Sequence, residues 1–561
     1  MTTAPYDLKS VQSPRLAGAR LRWFTRLLEN PPSRAFLIRR LLHENGVEDW
    51  RRLLIDDLPT NLPWTTPAAS ETTAGSTWAP QVTAPRDHRT GYVSVLDYHQ
   101  AYRSGASTPE QVAQQVLTAI ADSEARTPPL RAFIACDHDD VHRQAEASSQ
   151  RWRMGQPWGP FDGVPVAVKD DLDQLPYATT LGTCFITQRL TAQEATVVTR
   201  LRAAGALLLG KTTLPEFALG VTGTNPHHGA VCNPYQPAYT SGGSSAGTAA
   251  AVAAGLCPVA FGSDGSGSIR TPAALCGIVG LKPTQGRVSG FGTLGYGCSV
   301  CQVGPLAATV WDAALAYALI AGPDPQDPTT LQQPPLALAG IEEPDLHGLT
   351  LGVYRPWFEH AAPALVAGAE SLLNYFQERG ARVSAITLPD LNAGQIAQLV
   401  ILLAEFAAFM ERYAAYRRHF SLELRCLLTL AESLTARDYL KAQRFRTRLS
   451  THFQRAFQDV DVILTPTTGC TAPPIHPDAL QYGELNLGMV AELIRFTPLA
   501  NLTGLPAITF PAGYDPQGLP LGCQAIGRPW QEAVLLRLAQ VAETQVEHHL
   551  PSLYYRVLPA A

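Results

Sequence analysis

The chain has 561 residues, enough to bury a large hydrophobic core without help from disulfides. Lysines and arginines total 43 against 48 aspartates and glutamates, and the resulting net charge of −5 gives no reason to expect nucleic acid as a partner. Hydrophobic residues make up 46% and charged residues 16%, a composition that excludes a disordered chain and a coiled coil.

The first 58 residues are predicted to form an amphipathic helical segment of their own. Residues 13–42 contain seven arginines and a single acidic residue, interleaved with apolar side chains at helical spacing. Pro31 and Pro32 interrupt the pattern, so a second helix is predicted from Arg34 to His43. Two interpretations stay open. Residues 13–42 lie in a membrane interface, as basic helices with Trp and Phe do, or they pack on the main domain with their arginines solvated.

Residues 59–91 are rich in proline, threonine, serine and alanine without any period, which predicts an irregular linker. The main domain is expected over residues 92–561. One of its first helices begins with a capping signal, because Thr108 is followed by Pro109 in the first turn and by Gln111 three positions on.

From about residue 161, short apolar strands alternate with helices, which predicts an α/β fold with a sheet covered by helices on both faces. The predicted strands are Val164–Val168, Ala206–Leu209, Pro258–Phe261, Val462–Leu464 and Ala507–Phe510. Residues 360–380 and 392–458 have a mostly helical pattern, so a helical cap is expected around 360–458.

Neither a membrane span nor a disulfide framework is expected. The longest apolar stretch, Leu399 to Met410, is interrupted by Glu405 and is too short to cross a bilayer, and no signal peptide is apparent, so we expect a cytoplasmic protein. The ten cysteines are scattered, as free thiols of a reducing compartment would be. Cys298 and Cys301 form one CxxC, but no second pair follows at ligand spacing, so we expect neither a metal site nor redox chemistry there.

Two familiar motifs occur in the wrong context. Gly205 to Thr212 matches GxxxxGK[ST], yet its middle residues, Ala-Leu-Leu-Leu, have the pattern of a strand, whose N–H groups are used in the sheet and cannot cradle a phosphate. Gly243 to Gly247 matches the GxSxG of the hydrolase nucleophile elbow, but the residues before it are turn-like rather than a strand. Neither motif is expected to carry the chemistry.

A third constellation joins Lys169 with Ser244, Ser245 and Ser268. Lys169 ends a predicted strand, and ligand sites in α/β sheets lie at such carboxyl ends. Burial disfavours a charged amine, so this lysine can act as a base near neutral pH; the alternative is a buried charge paired with one of the aspartates that follow it. The glycine- and serine-rich stretch 264–270 presents consecutive N–H groups suited to an oxyanion. Together these residues offer a nucleophile, a relay and a base without histidine.

The same residues resemble the amidase signature family. The resemblance rests on Gly242 to Gly247 and on Gly262 to Ala273, and it extends to Gly277 to Thr284 and Gly504 to Ile508. The plant-type fatty acid amide hydrolase branch of that family shares further stretches at residues 14–18, 43–46, 459–469 and 475–480. The resemblance implies the amidase-signature fold, a central mixed twisted sheet covered by helices on both faces, here with an added N-terminal helical segment.

The resemblance also implies roles for the site residues. Ser268 resembles the nucleophile, Ser244 a bridging serine held by a cis peptide, and Lys169 the base. The implied oxyanion hole consists of the N–H groups of Gly265, Ser266, Gly267 and Ser268, which contact the substrate together with Ser244. Ser266 stands where the family usually has glycine, so it strains the loop if that position needs φ > 0, and it is also a second candidate nucleophile.

The predicted function is therefore a Ser–Ser–Lys amide hydrolase that needs no metal or organic cofactor. The resemblance implies fatty acid amides such as N-acylethanolamines as substrates, and Leu399 to Met410 would then line an acyl channel unless it is a plain core helix. Three alternatives stay open: an amidase for small or aromatic amides, an amidotransferase component that releases ammonia from glutamine, and a non-catalytic membrane-surface binding protein. We also expect a homodimer, and peripheral membrane contact through residues 13–42.

Overall fold

The computed structural model describes residues 6–9, 11, 13–60, 90–188, 192–294 and 298–558. Nearly all of the linker predicted over 59–91 lies outside the described residues, so that linker stays a prediction.

An eleven-stranded mixed sheet forms the centre of the fold. Numbered along the chain, its strands lie in the spatial order β11 (Arg382–Ala385), β10 (Thr350–Val353), β12 (Val462–Pro466), β15 (Pro520–Gly527), β14 (Ala507–Tyr514), β8 (Val279–Lys282), β9 (Gln302–Ala307), β7 (Val259–Asp264), β3 (Pro165–Lys169), β4 (Leu207–Thr212) and β2 (Phe133–Ala135). β3 runs parallel to β4 and β7, β10 runs parallel to β11 and β12, and the other neighbouring pairs are antiparallel. Two short ribbons pair β1 (Leu16–Ala17) with β13 (Glu484–Leu485) and β5 (Thr224–Asn225) with β6 (Gly229–Ala230).

Helices flank the sheet. In chain order they are α1 (Gly18–Glu29), α2 (Pro31–Glu44), α3 (Val47–Arg52), α4 (Val95–Ser104), α5 (Pro109–Ala125), α6 (His138–Arg153), α7 (Thr196–Ala203), α8 (Ala246–Ala253), α9 (Arg270–Leu275), α10 (Val310–Ile320), α11 (Arg355–Phe358), α12 (Pro363–Glu378), α13 (Leu391–Met410), α14 (Leu422–Ala431), α15 (Ala436–Asp459), α16 (Leu487–Leu493), α17 (Pro498–Leu502) and α18 (Glu532–Gln545). α18 contacts α10, α12 and the sheet, whereas α8 and α9 contact each other and the sheet. The expected α/β fold with a helix-covered mixed sheet is confirmed.

The three neighbouring parallel strands β7, β3 and β4 are buried along their whole length, as expected where helices cover both faces. β4 contains the end of the phosphate-loop pattern, and Lys211 in it is fully buried, so that segment is a strand as predicted. Each predicted strand corresponds to an observed one. The capping box of Thr108 with Gln111 is also present and begins α5.

The N-terminal helices pack one face onto the main domain. Leu21 and Trp50 are buried in a hydrophobic cluster that also contains side chains of α13 and α15. Pro31 and Pro32 occupy the first turn of α2, where a missing N–H costs nothing, so this helix begins before the predicted Arg34.

The other face of the N-terminal helices is exposed to solvent. Trp23 is 65% exposed and Phe36 is 70% exposed. Some of the arginines in residues 13–42 form ion pairs with carboxylates, namely Arg15, Arg34, Arg39 and Arg40. In the described part of the chain no carboxylate pairs with Arg20, Arg22 or Arg26, so this face carries both exposed aromatic rings and uncompensated positive charge.

The region predicted as a helical cap, 360–458, contains α12 to α15, and it also supplies β11 at the edge of the main sheet. α13 continues as a tighter helix to His419. The combined helical stretch, Leu391–His419, is longer than the apolar run Leu399 to Met410. Leu391–His419 is long and apolar enough to cross a membrane by length and composition, but 56% of its apolar window is buried in the protein. A core helix meets the same criterion, and α13 packs against α14, α15 and α17.

Candidate active site

Lys169 is the last residue of β3, and its side chain is completely buried. Its Nζ atom donates hydrogen bonds of 2.9 Å to Ser244 Oγ and to Ser263 Oγ, and it lies 3.2 Å from Oδ2 of Asp171. The Ser263 hydroxyl in turn donates to Asp171. The lysine is therefore paired with an aspartate, as one interpretation has it, and it also donates to the serine next to the glycine-rich loop; its role as the base stays a prediction.

Ser244, which accepts from the lysine, lies next to the residue that contacts Ser268. The Gly243–Ser244 peptide bond is cis, as the family resemblance implies. The N–H of Ser245 donates to the carbonyl of Ser268 at 3.1 Å, which holds the two segments side by side. Ser245 itself is fully buried, and residues 231–244 before it form no strand, so the GxSxG match is not a nucleophile elbow.

Asp264 organises the loop of residues 264–270 that connects β7 to α9. Its carboxylate accepts from the N–H groups of Gly267 at 2.7 Å and Ile269 at 3.1 Å, and it binds the Arg270 guanidinium at 3.0 Å. Burial acts to raise the pKa of Asp264, but the charge and hydrogen bonds of Arg270 outweigh it and hold the pKa well below its ordinary value. The ionised pair fixes the loop from its buried side.

This arrangement reduces the number of N–H groups available to the implied oxyanion hole from four to three. The N–H of Gly267 is taken by Asp264, and Gly267 is the residue that adopts a positive φ, 123°. Ser266 is not among the residues with positive φ, so a serine at this position does not strain the loop. The N–H groups of Gly265, Ser266 and Ser268 bond no other described residue and are left for an oxyanion.

Two side chains from outside the loop hold it in place, and one of them, Gln398, belongs to the cavity wall. Nε2 of Gln398, on α13, donates to the carbonyl of Gly265 and to Ser266 Oγ, both at 2.6 Å. Thr497 Oγ1 donates to the carbonyl of Ser266 at 2.5 Å. Sequence reasoning missed both residues, because Gln398 is 133 positions from Gly265 and no local pattern marks it. It also missed Ser263, although that residue lies inside the family-like stretch Gly262 to Ala273.

Ser244, Ser266 and Ser268 all open into one cavity of about 510 Å³. Along α13 its lining includes the apolar side chains Leu399, Leu402, Leu403, Phe406 and Phe409 and the polar side chains Asn392, Gln395, Gln398 and Glu405. Other elements contribute Phe217, Leu219, Leu294 and Leu427, and the N-terminal segment contributes Leu8, Val11 and Asn45. The stretch Leu399 to Met410 therefore lines a cavity with one face and packs in the core with the other.

Cys298 and Cys301 also line the cavity, with their Sγ atoms 2.8 Å apart. The hydrogen bond to Cys298 and burial raise the pKa of the Cys301 thiol well above its ordinary value, so it stays neutral and unreactive. In the described part of the chain, no three His, Cys, Asp or Glu side chains are grouped to hold a metal ion.

Comparisons with known proteins agree with this geometry. A family model described as Amidase matches residues 114–536. A fatty acid amide hydrolase of Oryza sativa subsp. indica is 37% identical over 594 residues, covering 100% of this chain and 98% of its own. A fatty acid amide hydrolase of Arabidopsis thaliana is 36% identical over 590 residues and covers 100% of this chain and 97% of its own. The X-ray structure of a peptide amidase from Stenotrophomonas maltophilia matches with a TM-score of 0.72 and 31% identity, covering 82% of this chain and 98% of its own. The likeness to the two plant enzymes thus includes the N-terminal helices.

Proposed function

This chain belongs to the amidase family and hydrolyses amide bonds, and from that premise we propose that its substrates are long-chain fatty acid amides such as N-acylethanolamines. The observation that carries the proposal is the cavity of about 510 Å³ that opens at the serines and has a run of five leucine and phenylalanine side chains on α13 in its wall. An apolar wall of this kind favours an acyl chain over a small polar amide, because burying each CH₂ contributes about 0.8 kcal/mol. The full-length likeness to the rice fatty acid amide hydrolase supports the same substrate class.

In the mechanism that we propose, Lys169 acts as the base and takes the proton of Ser268 through Ser244. Ser268 Oγ then attacks the amide carbon, and the N–H groups of Gly265, Ser266 and Ser268 stabilise the oxyanion. The proton returns along the same relay to the leaving amine, and water hydrolyses the acyl-enzyme. The 2.9 Å contact of Lys169 with Ser244 and the shared opening of Ser244 and Ser268 into the cavity support this assignment.

A substrate series tests the proposed specificity. We expect kcat/KM on ethanolamides to rise steeply from acetyl to about eighteen carbons, by roughly fourfold for each CH₂ that becomes buried. Ser268→Ala is the control for background hydrolysis. A flat or falling profile, lost in Ser268→Ala, would assign the protein to the small or aromatic amides instead.

Covalent labelling tests which serine is the nucleophile. A serine-directed fluorophosphonate should label the wild-type protein and fail to label Ser268→Ala. Ser266→Ala is the matched control, because it removes the neighbouring hydroxyl on the same loop and should still be labelled. Labelling that persists in Ser268→Ala and disappears in Ser266→Ala would reverse the two roles.

We also propose peripheral membrane contact through residues 13–42. Their outward face combines Trp23 and Phe36 with arginines that have no carboxylate partner in the described part of the chain, the combination that binds an anionic bilayer surface. The neighbouring N-terminal residues Leu8 and Val11 belong to the cavity lining, so a lipid amide that partitions into the bilayer would enter close to the site.

Flotation with vesicles that contain phosphatidylserine tests the membrane contact. Replacing both Trp23 and Phe36 with alanine should lower the bound fraction several-fold. Trp158→Ala is a matched control, because Trp158 is 60% exposed but lies outside the N-terminal helices. Equal binding of all three proteins would remove residues 13–42 as the membrane-binding surface.

The homodimer and the cytoplasmic location remain predictions from the sequence. Light scattering coupled to gel filtration would test the first, because a mass twice that of the chain is expected. Cell fractionation would test the second, with the protein expected in the cytosolic and loosely membrane-bound fractions.

A further inference from the structure

The helix that walls the acyl cavity also touches the oxyanion loop directly. Gln398 on α13 is 2% exposed, and both hydrogens of its amide nitrogen are used, one on the carbonyl of Gly265 and one on Ser266 Oγ. One turn further along α13, Leu402 reaches the same loop, since a Cβ placed on Gly265 would lie 3.4 Å from Leu402 Cδ1. Residues 398, 402 and 406 share one face of the helix because they are four positions apart, and all three line the cavity.

The bond to the Gly265 carbonyl has a direct effect on the proposed oxyanion hole. A peptide unit is planar, so the carbonyl of Gly265 and the N–H of Ser266 point in opposite directions within one rigid plane. When Gln398 holds that carbonyl, it also fixes the direction of the Ser266 N–H. Thr497 does the same for the next peptide plane, whose N–H belongs to Gly267 and binds Asp264. Gln398 therefore orients the Gly265–Ser266 peptide. The N–H of this peptide is available to an oxyanion, and its carbonyl is held by a residue of the cavity wall.

We propose that Gln398 is a positioning residue that couples occupation of the acyl cavity to the alignment of the oxyanion loop. The inference rests on the proposed function, because it requires the apolar wall of α13 to bind an acyl chain. A long chain packs against Leu402 and Phe406 and restricts α13, so Gln398 holds the Gly265–Ser266 peptide in the productive orientation. A short chain leaves the wall unoccupied, and the loop then relies on Thr497 and Asp264 alone.

The coupling predicts a separation of kcat from KM. In the wild-type enzyme, kcat itself should rise with acyl length. Gln398→Met keeps the volume of the side chain but removes both hydrogen bonds. It should lower kcat on an eighteen-carbon ethanolamide by about tenfold to a hundredfold, less than the roughly hundredfold to thousandfold loss on removing an oxyanion donor, because the donor stays in place but is misaligned. Because apolar burial is unchanged, KM should still fall with chain length, but kcat should become nearly independent of it.

Matched variants separate this role from a general loss of structure. Gln443→Met is the control, because it makes the same change at a buried glutamine of α15 that contacts neither the loop nor the cavity. It should leave the chain-length dependence of kcat intact. Ser266→Gly removes only the second hydrogen bond of Gln398 and should give a smaller loss of the same kind. If Gln398→Met does not fold, Ser266→Gly still tests the proposal.

The outcomes distinguish this inference from the proposed function. A wild-type kcat/KM that does not rise with chain length would overturn the proposed substrate class. If wild-type kcat/KM does rise with chain length, the kcat of Gln398→Met decides the coupling. The coupling would be overturned if that kcat rose with chain length as steeply as in the wild-type enzyme, so that the loss was equal at every length. A loss of kcat confined to long chains, at nearly constant KM, would establish it.

Discussion

Asp264 and Arg270 are a completely buried ion pair at the base of the oxyanion loop. Removing one partner of such a pair leaves an uncompensated charge in the interior, so Asp264→Asn should lower the free energy of unfolding by about 3–5 kcal/mol. Chemical denaturation would measure the loss. Glu370→Gln breaks the partly exposed pair with Arg355 and, as a control, should cost under about 1 kcal/mol.

The pH dependence of this pair has a definite sign. The folded pKa of Asp264 lies well below the ordinary value of 3.8, so its contribution to stability is fully present above about pH 4 and is lost as the pH falls. Asp264→Asn should therefore be least destabilising, relative to the wild-type protein, in the most acidic buffer that both proteins tolerate. A constant difference between the two proteins from about pH 3 to about pH 7 would contradict the ionised pair.

Gly265 has no room for a side chain. A methyl group there would lie 2.9 Å from Cys301 Sγ, shorter than a normal contact, so Gly265→Ala should displace the loop and lower kcat by at least about tenfold. Cys301→Ala in the same chain should restore part of the activity, because it removes the closest atom. Steady-state kinetics of the single and double variants would measure both effects. Full activity of Gly265→Ala would show that the loop tolerates the shift.

Helix α14 carries a carboxyl group that the fold keeps protonated. Burial, together with the negative charges of Glu484 and Glu216, raises the pKa of Glu423 from 4.5 to about 8. The folded state thus binds a proton that the unfolded chain has released, so stability falls as pH rises between these two values, by up to about 1.4 kcal/mol per pH unit. Glu423→Gln should remove this slope and raise the melting temperature by a few degrees at about pH 8.

Thermal unfolding of both proteins at several pH values between about 5 and about 9 provides the measurement. The advantage of Glu423→Gln should grow steadily up to the folded pKa, since the glutamine side chain can still accept the hydrogen bond from the N–H of Glu484. A difference that does not change with pH would show that Glu423 is already ionised in the folded protein.

Elements with local signals were predictable, and elements defined by distant contacts were not. β3 and the capping box of α5 depend on residue types within one short stretch, and both appear as predicted. β11 has a partly exposed pattern at the edge of the sheet and no apolar run, so it was absorbed into the predicted helical cap. The early start of α2 does not follow from the pattern, because a proline can either break a helix or occupy its first turn, and Pro31 does the second.

The residues of the candidate site also fall into two groups, those with a local sequence signal and those without one. Lys169, Ser244 and Ser268 lie in short stretches with distinctive composition, so the sequence indicated all three. The groups that hold them, Ser263 and Gln398, are ordinary polar residues whose roles arise only when β7 and α13 are brought to the same cavity.

The N-terminal segment contributes to the cavity wall as well as to the protein surface. Leu8, Val11 and Asn45 line it, and Trp50 is buried against Phe445 of α15 with ring centroids 5.6 Å apart. Removing residues 1–58 should therefore lower the melting temperature and cut kcat/KM on long-chain amides by more than about tenfold, even in detergent, because apolar wall area is lost. Short-chain amides should lose less. Equal loss on both would indicate general unfolding, which circular dichroism would detect.

One face of α13 contacts two parts of the site. Leu402 and Phe406 line the cavity, and Gln398 and Leu402 contact the loop of residues 264–270. The proposed coupling through Gln398 then predicts that substrate preference and turnover do not evolve independently in this protein. A substitution that reshapes the wall for a different chain also moves the helix that holds the loop, so adaptation to a new lipid would begin with a slower enzyme and would require a second, compensating change. Homologues with a different acyl-chain preference should therefore show paired substitutions between α13 and residues 264–270.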